Sequence, residues 1–122
     1  LLHEDERLKE VNFGVLEGLP CSFVDTLHLE SPSWLDDLEM DYTSYQGENI
    51  DDVIIRQQKV LKEIEKISNE EDCIVVVGHG CSLYALIKTL LKDEKIAFPG
   101  NASAYILCKK NNEYKLEKYL RP

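Results

Sequence analysis

No apolar run in the 122 residues approaches a membrane span, and the N-terminus lacks the basic-then-apolar pattern of a signal peptide. A cytoplasmic protein is the expectation. Positive charge is scarce, with 14 Lys and Arg against 23 Asp and Glu and a formal net charge of −9. Nucleic acid and anionic membranes both require clustered Lys and Arg, so neither partner is expected. Any phosphate site in this chain has to be cationic locally, against an acidic background. Cys21, Cys73, Cys81 and Cys108 form no CxxC pair and no His/Cys spacing suited to zinc. No metal is expected, and free buried thiols are expected rather than disulfides. Repeats, low-complexity tracts and linkers are also absent, so residues 1–122 read as one domain with one modest core.

What the chain does have centres on Val75-Val76-Val77-Gly78-His79-Gly80. Ile74 to Val77 is too apolar for a half-exposed strand and too short for an ordinary helix, which predicts a strand covered on both faces. Gly78 and Gly80 allow a sharp turn and close approach to a ligand. Leu83, Leu86, Ile87, Leu90 and Leu91 then recur at helical spacing. His79 would thus stand at a sheet's carboxyl edge beside a helix N-terminus, where free N–H groups and the helix dipole favour an anion. The same six residues also fit a strand-loop-helix corner whose histidine is only structural.

Upstream, Ile50, Val53, Ile54, Val60, Leu61, Ile64 and Ile67 share one helical face, with Asn49 as N-cap and Asp51 and Asp52 in the first turn. The face carrying Arg56, Lys59, Lys62, Glu63 and Lys66 should be solvated. Ser103–Cys108 and Glu113–Tyr119 read as strands joined through Lys109–Asn112, where adjacent asparagines tolerate the positive φ of a tight hairpin. Residues 19–46 lack periodicity and read as loops with one or two short helices.

Together these pieces resemble the histidine phosphatase superfamily, which includes the cofactor-dependent phosphoglycerate mutases. Leu8-Lys9-Glu10-Val11-Asn12-Phe13-Gly14-Val15-Leu16-Glu17-Gly18 is similar to the family's L-x-E-x-x-[FY]-G-x-x-[EQ]-G segment. Gly47-Glu48-Asn49 followed by Arg56 resembles its G-E-S helix opening and later arginine, Val77-Gly78-His79-Gly80 its second histidine motif, and Asn101 its residue before the closing hairpin. The resemblance implies an α/β, phosphoglycerate mutase-like three-layer sandwich with a mostly parallel sheet and a C-terminal antiparallel hairpin. It further implies transfer or hydrolysis of a phosphoryl group on a phosphorylated small molecule through a phosphohistidine, with no cofactor. His79 would stabilise the transferring group and Glu10 would protonate the leaving oxygen, a role suited to a partly desolvated carboxylic acid. Gly80, Cys81 and Asn101 would contact substrate. Glu17 and Glu48 would support loop and helix-cap hydrogen bonds, while Arg56, His3 and His28 would lie at the surface.

The chain departs from the family in one decisive way: no Arg-His pair occurs in it. The Arg-His-Gly motif, which ends the family's first strand and supplies the nucleophile, is missing, as is the second phosphate-binding arginine. Nothing after Asn101 restores them, so circular permutation is no rescue. A start at Leu1 rather than Met agrees with an incomplete, carboxyl-terminal portion of such an enzyme, inactive alone. The short 18–47 stretch and the ending at Arg121-Pro122 favour a phosphatase over a mutase. A noncatalytic remnant and an unrelated α/β binding module with a structural His79 are the other two readings, and the last predicts no packing of Glu10 near His79. Loss of the Arg-His-Gly strand would leave Ile74–Val77 at a raw edge, predicting either a homodimer or a rearranged sheet in which Ile74–Val77 pairs with Ser103–Cys108.

Overall fold

The computed structural model describes residues 2–29, 37–92 and 95–122; residues 30–36 of the loop-rich 19–46 stretch lie outside the described set. Short helical turns at Glu6–Leu8 and Gly14–Leu16 lead to a single turn of helix α1 (Cys21–Val24), extended by a 3-10 turn at Asp25–Leu27. A further 3-10 turn at Thr43–Tyr45 precedes α2 (Ile50–Ile67), and α3 (Gly80–Leu91) precedes strands β1 (Ala104–Lys110) and β2 (Glu113–Leu120).

Helix α2 begins where its chemistry says it should. Asn49 is extended, and its side chain accepts the Asp52 N–H at 2.8 Å, while Asp51 and Asp52 sit at the positive end of the helix dipole. Ile50, Val53, Ile54 and Val60 are buried as the periodicity predicts. Ile67, at the last turn, is 82% exposed. Val53 and Ile54 join Val11, Leu16, Met40, Tyr42, Ile50 and Ala85 in the core, which therefore ties the N-terminal segment to both long helices. Phe13 meets Tyr42 edge to face with ring centroids 4.9 Å apart.

The hairpin forms as expected, with Lys110 opposite Glu113 and Ala104 opposite Leu120. Asn111 and Asn112 carry φ of 51° and 63°, the left-handed pair that a two-residue turn matching the strands' twist requires. Tyr105 and Tyr119 face each other across the strands and stack at 4.7 Å.

The expected strand at Ile74–Val77 does not form. Among the described residues the only sheet is the two-stranded hairpin, and Ile74, Val75 and Val77 are 46%, 81% and 79% exposed. A doubly covered strand takes hydrogen bonds from neighbours on both sides, and no strand of the described chain lies beside this run. The alternative in which it pairs with Ser103–Cys108 is also overturned, since β1 takes its partner entirely from β2. The four thiols are free as expected, but Cys21 and Cys73 are exposed and Cys81 and Cys108 half-buried. Cys73 follows the fate of the uncovered run it precedes.

Candidate active site

Glu10 and the start of α3 are brought together across the whole middle of the chain. Its carboxylate accepts the Ser82 N–H at 2.8 Å on Oε1 and the Cys81 N–H at 3.1 Å on Oε2. Oε1 also accepts the Val11 N–H at 3.0 Å. These are first-turn amides that the helix itself cannot satisfy, and a carboxylate at that position interacts favourably with the dipole. His79 is the N-cap residue, extended at φ −115°, yet its side chain makes no capping bond. Glu10 caps α3 in its place, and His79 is exposed.

The segment bearing Glu10 is held by Arg56. Its Nη1 donates to the carbonyls of Arg7 at 2.6 Å and Lys9 at 2.9 Å, and its Nη2 to that of Glu10 at 2.9 Å. Nε and Nη2 also donate to the two Glu48 oxygens at 2.9 and 3.0 Å. All five guanidinium N–H donors are thereby used. The expectation of a surface arginine is corrected: Arg56 does lie on the polar face of α2, but three backbone carbonyls of residues 7–10 come to that face and half-bury it. Glu48 also accepts the Asn12 N–H at 3.0 Å, while its own N–H donates to Asn12 O at 2.8 Å. Burial alone would push the Glu48 carboxyl up, but the hydrogen bonds from Arg56 and the Asn12 N–H outweigh it and hold the group below its usual range. Glu17 accepts the Phe13 N–H at 3.1 Å, the supporting role expected of it.

Two glycines make this junction possible. Gly14 has φ +60°, and a Cβ there would lie 1.9 Å from the Tyr45 carbonyl oxygen. At Gly47 a Cβ would come within 2.5 Å of the Asn12 oxygen. The backbones of the 8–18 and 47–49 segments meet with no room for a side chain between them.

On the other side of α3, the Phe98 ring packs on Tyr84 at 5.2 Å and lies 3.5 Å from where a Gly80 Cβ would stand. Asn101 follows in the exposed turn closed by Ser103, whose N–H and hydroxyl both donate to the Gly100 carbonyl at 3.3 and 2.7 Å. The loop thus reaches the α3 start through Phe98, three residues before Asn101. His3 and His28 are exposed, as expected. Ser82, fully buried, was missed by sequence reasoning, because a small residue inside a helical apolar pattern carries no signal for the backbone bond it makes. Among the described residues no cluster of His, Cys, Asp and Glu could hold a metal ion, and no helix is long and apolar enough to cross a membrane.

No curated protein and no solved structure gives a significant match to the chain. A family model does, that of the histidine phosphatase superfamily, branch 1, over residues 1–120. The match spans the Glu10 segment, the Arg56 brace and the His79 corner that the fold draws together, and the chain belongs to the histidine phosphatase superfamily.

Proposed function

We propose that the chain carries one half of a phosphatase site that acts on a phosphorylated small molecule through a phosphohistidine. The observation that supports this most is the bonding of Glu10 to the Cys81 and Ser82 amides, which sets a carboxyl group at the start of the helix that His79 precedes. In the reaction, a histidine on sequence outside this chain attacks phosphorus as the bond to the leaving oxygen breaks; Glu10 gives that oxygen its proton, and His79 stabilises the charge spread over the phosphoryl oxygens. Water then cleaves the phosphohistidine.

Gly80 and the Cys81 amide border the approach to the transferring group, with Asn101 bordering the substrate. Ile74–Val77 becomes a parallel strand of the three-layer sandwich when a neighbouring strand bearing Arg-His-Gly is supplied. Alone, the chain is inactive, and hydrolysis is favoured over mutase chemistry.

Titration with phosphate or vanadate tests the site: the His79 ring signals should move at millimolar anion, and their staying fixed while other residues shift places the site elsewhere. Hydrolysis of an aryl phosphate by the chain should not exceed buffer and should be unchanged in His79→Ala. Turnover that His79→Ala abolishes, with phosphate trapped on that residue, would overturn the division of roles. The exposed apolar run at Ile74–Val77 favours a second reading, a noncatalytic interaction domain, which predicts partner capture without any anion response at His79.

A further inference from the structure

The loop at 97–103 is tied to the hairpin by its two stacked tyrosines. The Tyr105 hydroxyl donates to the Ala97 carbonyl, the Tyr119 hydroxyl donates to that of Phe98 at 3.3 Å, and the same Tyr119 oxygen accepts the Gly100 N–H at 3.3 Å. Burial, with the nearby Tyr119 and Tyr84 adding to it, pushes the pKa of Tyr105 up to about 12, so its hydroxyl stays a donor at neutral pH. The sheet therefore sets where Phe98 stands.

That place is the start of α3. The Phe98 ring packs on the buried Tyr84, and its far edge, Cζ and Cε1, lies 3.5 and 3.8 Å from where a Cβ on Gly80 would stand. Gly80 directly follows His79. Phe98 nevertheless keeps 40% of its surface exposed. The fold itself does not demand a glycine at 80, because its φ is not positive and a Cβ would meet the ring only at ordinary contact distance. A side chain there would narrow the approach between the ring edge and the turn whose amides meet Glu10.

We propose that Phe98 determines which phosphate esters the site accepts: its exposed ring surface carries the apolar body of the leaving group, so that aryl phosphomonoesters are the preferred class. The inference rests on the phosphatase reading of the His79 corner. An ester whose phosphoryl group lies at His79 and whose leaving oxygen faces Glu10 carries the rest of its leaving group along the first turn of α3, where Phe98 stands. An aromatic body gains ring contact there worth roughly two- to tenfold in affinity, and a polar body of the same charge gains none of it.

Phenyl phosphate, glycerol phosphate and inorganic phosphate serve as probes, titrated into the chain and followed by NMR at the His79 ring, the Gly80 amide and the Phe98 ring. Phenyl phosphate should bind roughly two- to tenfold more tightly than glycerol phosphate and should shift the Phe98 ring signals. Phe98→Ala should remove that preference and leave the affinity for inorganic phosphate unchanged. Phe98→Leu, which keeps apolar bulk against Tyr84 but lacks the ring, should reduce the preference even if Phe98→Ala fails to fold. If all three probes move His79 and the two esters bind equally, this inference fails and the phosphatase reading stands. A preference that persists undiminished in the variants overturns the role given to Phe98. If no probe moves His79, the phosphatase reading fails and this inference with it.

Discussion

The Ser82 N–H donates to the Glu10 carboxylate across 72 positions of sequence, and on that bond and its Cys81 companion the geometry of the candidate site depends. Glu10→Ala removes the acceptor of two helix amides and should cost roughly 1–3 kcal/mol in urea unfolding. It should also expose those amides, so that phosphate perturbs the Cys81 and Ser82 N–H signals more in the variant than in the parent. A smaller response would mean that Glu10 does not compete with anions at α3. In an enzyme completed with its nucleophile, Glu10→Gln should lower turnover by roughly 10²–10⁴-fold. The loss should be smaller for aryl than for alkyl phosphates.

Arg56 is the brace behind Glu10. Arg56→Ala should destabilise by roughly 2–4 kcal/mol, because it strands three carbonyls and a half-buried Glu48. Arg56→Lys should recover little, since a single ammonium cannot span Glu48 and the 7–10 backbone together. Full recovery in thermal melts would show that only the charge matters.

Acid should act on the same brace. The folded Glu48 carboxyl lies below its ordinary value of 4.5, so its contribution is complete above about that pH and is lost as pH falls through the lower folded value. Stability measured between neutral pH and pH 3 should therefore fall at the acid end, and Glu48→Gln should flatten the fall. An unchanged acid slope in Glu48→Gln would assign the effect to other carboxylates.

Gly14 and Gly18 offer a matched pair. Both have positive φ, but a Cβ on Gly14 meets the Tyr45 carbonyl at 1.9 Å whereas one on Gly18 meets nothing within 4 Å. Gly18→Ala should cost roughly 1 kcal/mol from backbone strain alone. Gly14→Ala should cost roughly 3 kcal/mol or more, since the backbone must part. Equal costs in denaturant titrations would mean that the close approach is not structurally required.

Ile74–Val77 bears on association. With Val75 81% and Val77 79% exposed, a homodimer joined through this run should appear in light scattering as concentration rises, and Val75→Lys with Val77→Lys should abolish it. A monomer at all concentrations would rule the dimer out.

Legibility from sequence followed the range of the interactions. Helix α2 was readable because its cap, first-turn acids and apolar period all lie within its own 18 residues, and the hairpin because Asn111 and Asn112 specify the turn locally. The Ile74–Val77 run shows why composition is not enough: four apolar residues state a preference for burial but not whether the covering strands are present. Arg56 was misread for a related reason. A helical wheel separates apolar from polar faces, and it contains no trace of the three carbonyls that arrive from residues 7–10. Glu10 is singled out only by the family's motif order, which stands in for contacts that spacing cannot supply, whereas His79 stands out already from the apolar run and glycines around it.

The distance in sequence between Glu10 and Ser82 also orders events in time. Closing the two-residue turn of the hairpin costs little chain entropy, whereas closing a loop of 72 residues costs about 3 kcal/mol more. The hairpin and α2 should therefore assemble early and the Glu10 junction late. Among the hydrogen-bonded parts of the fold, amide exchange should begin at the place where the chemistry is assembled.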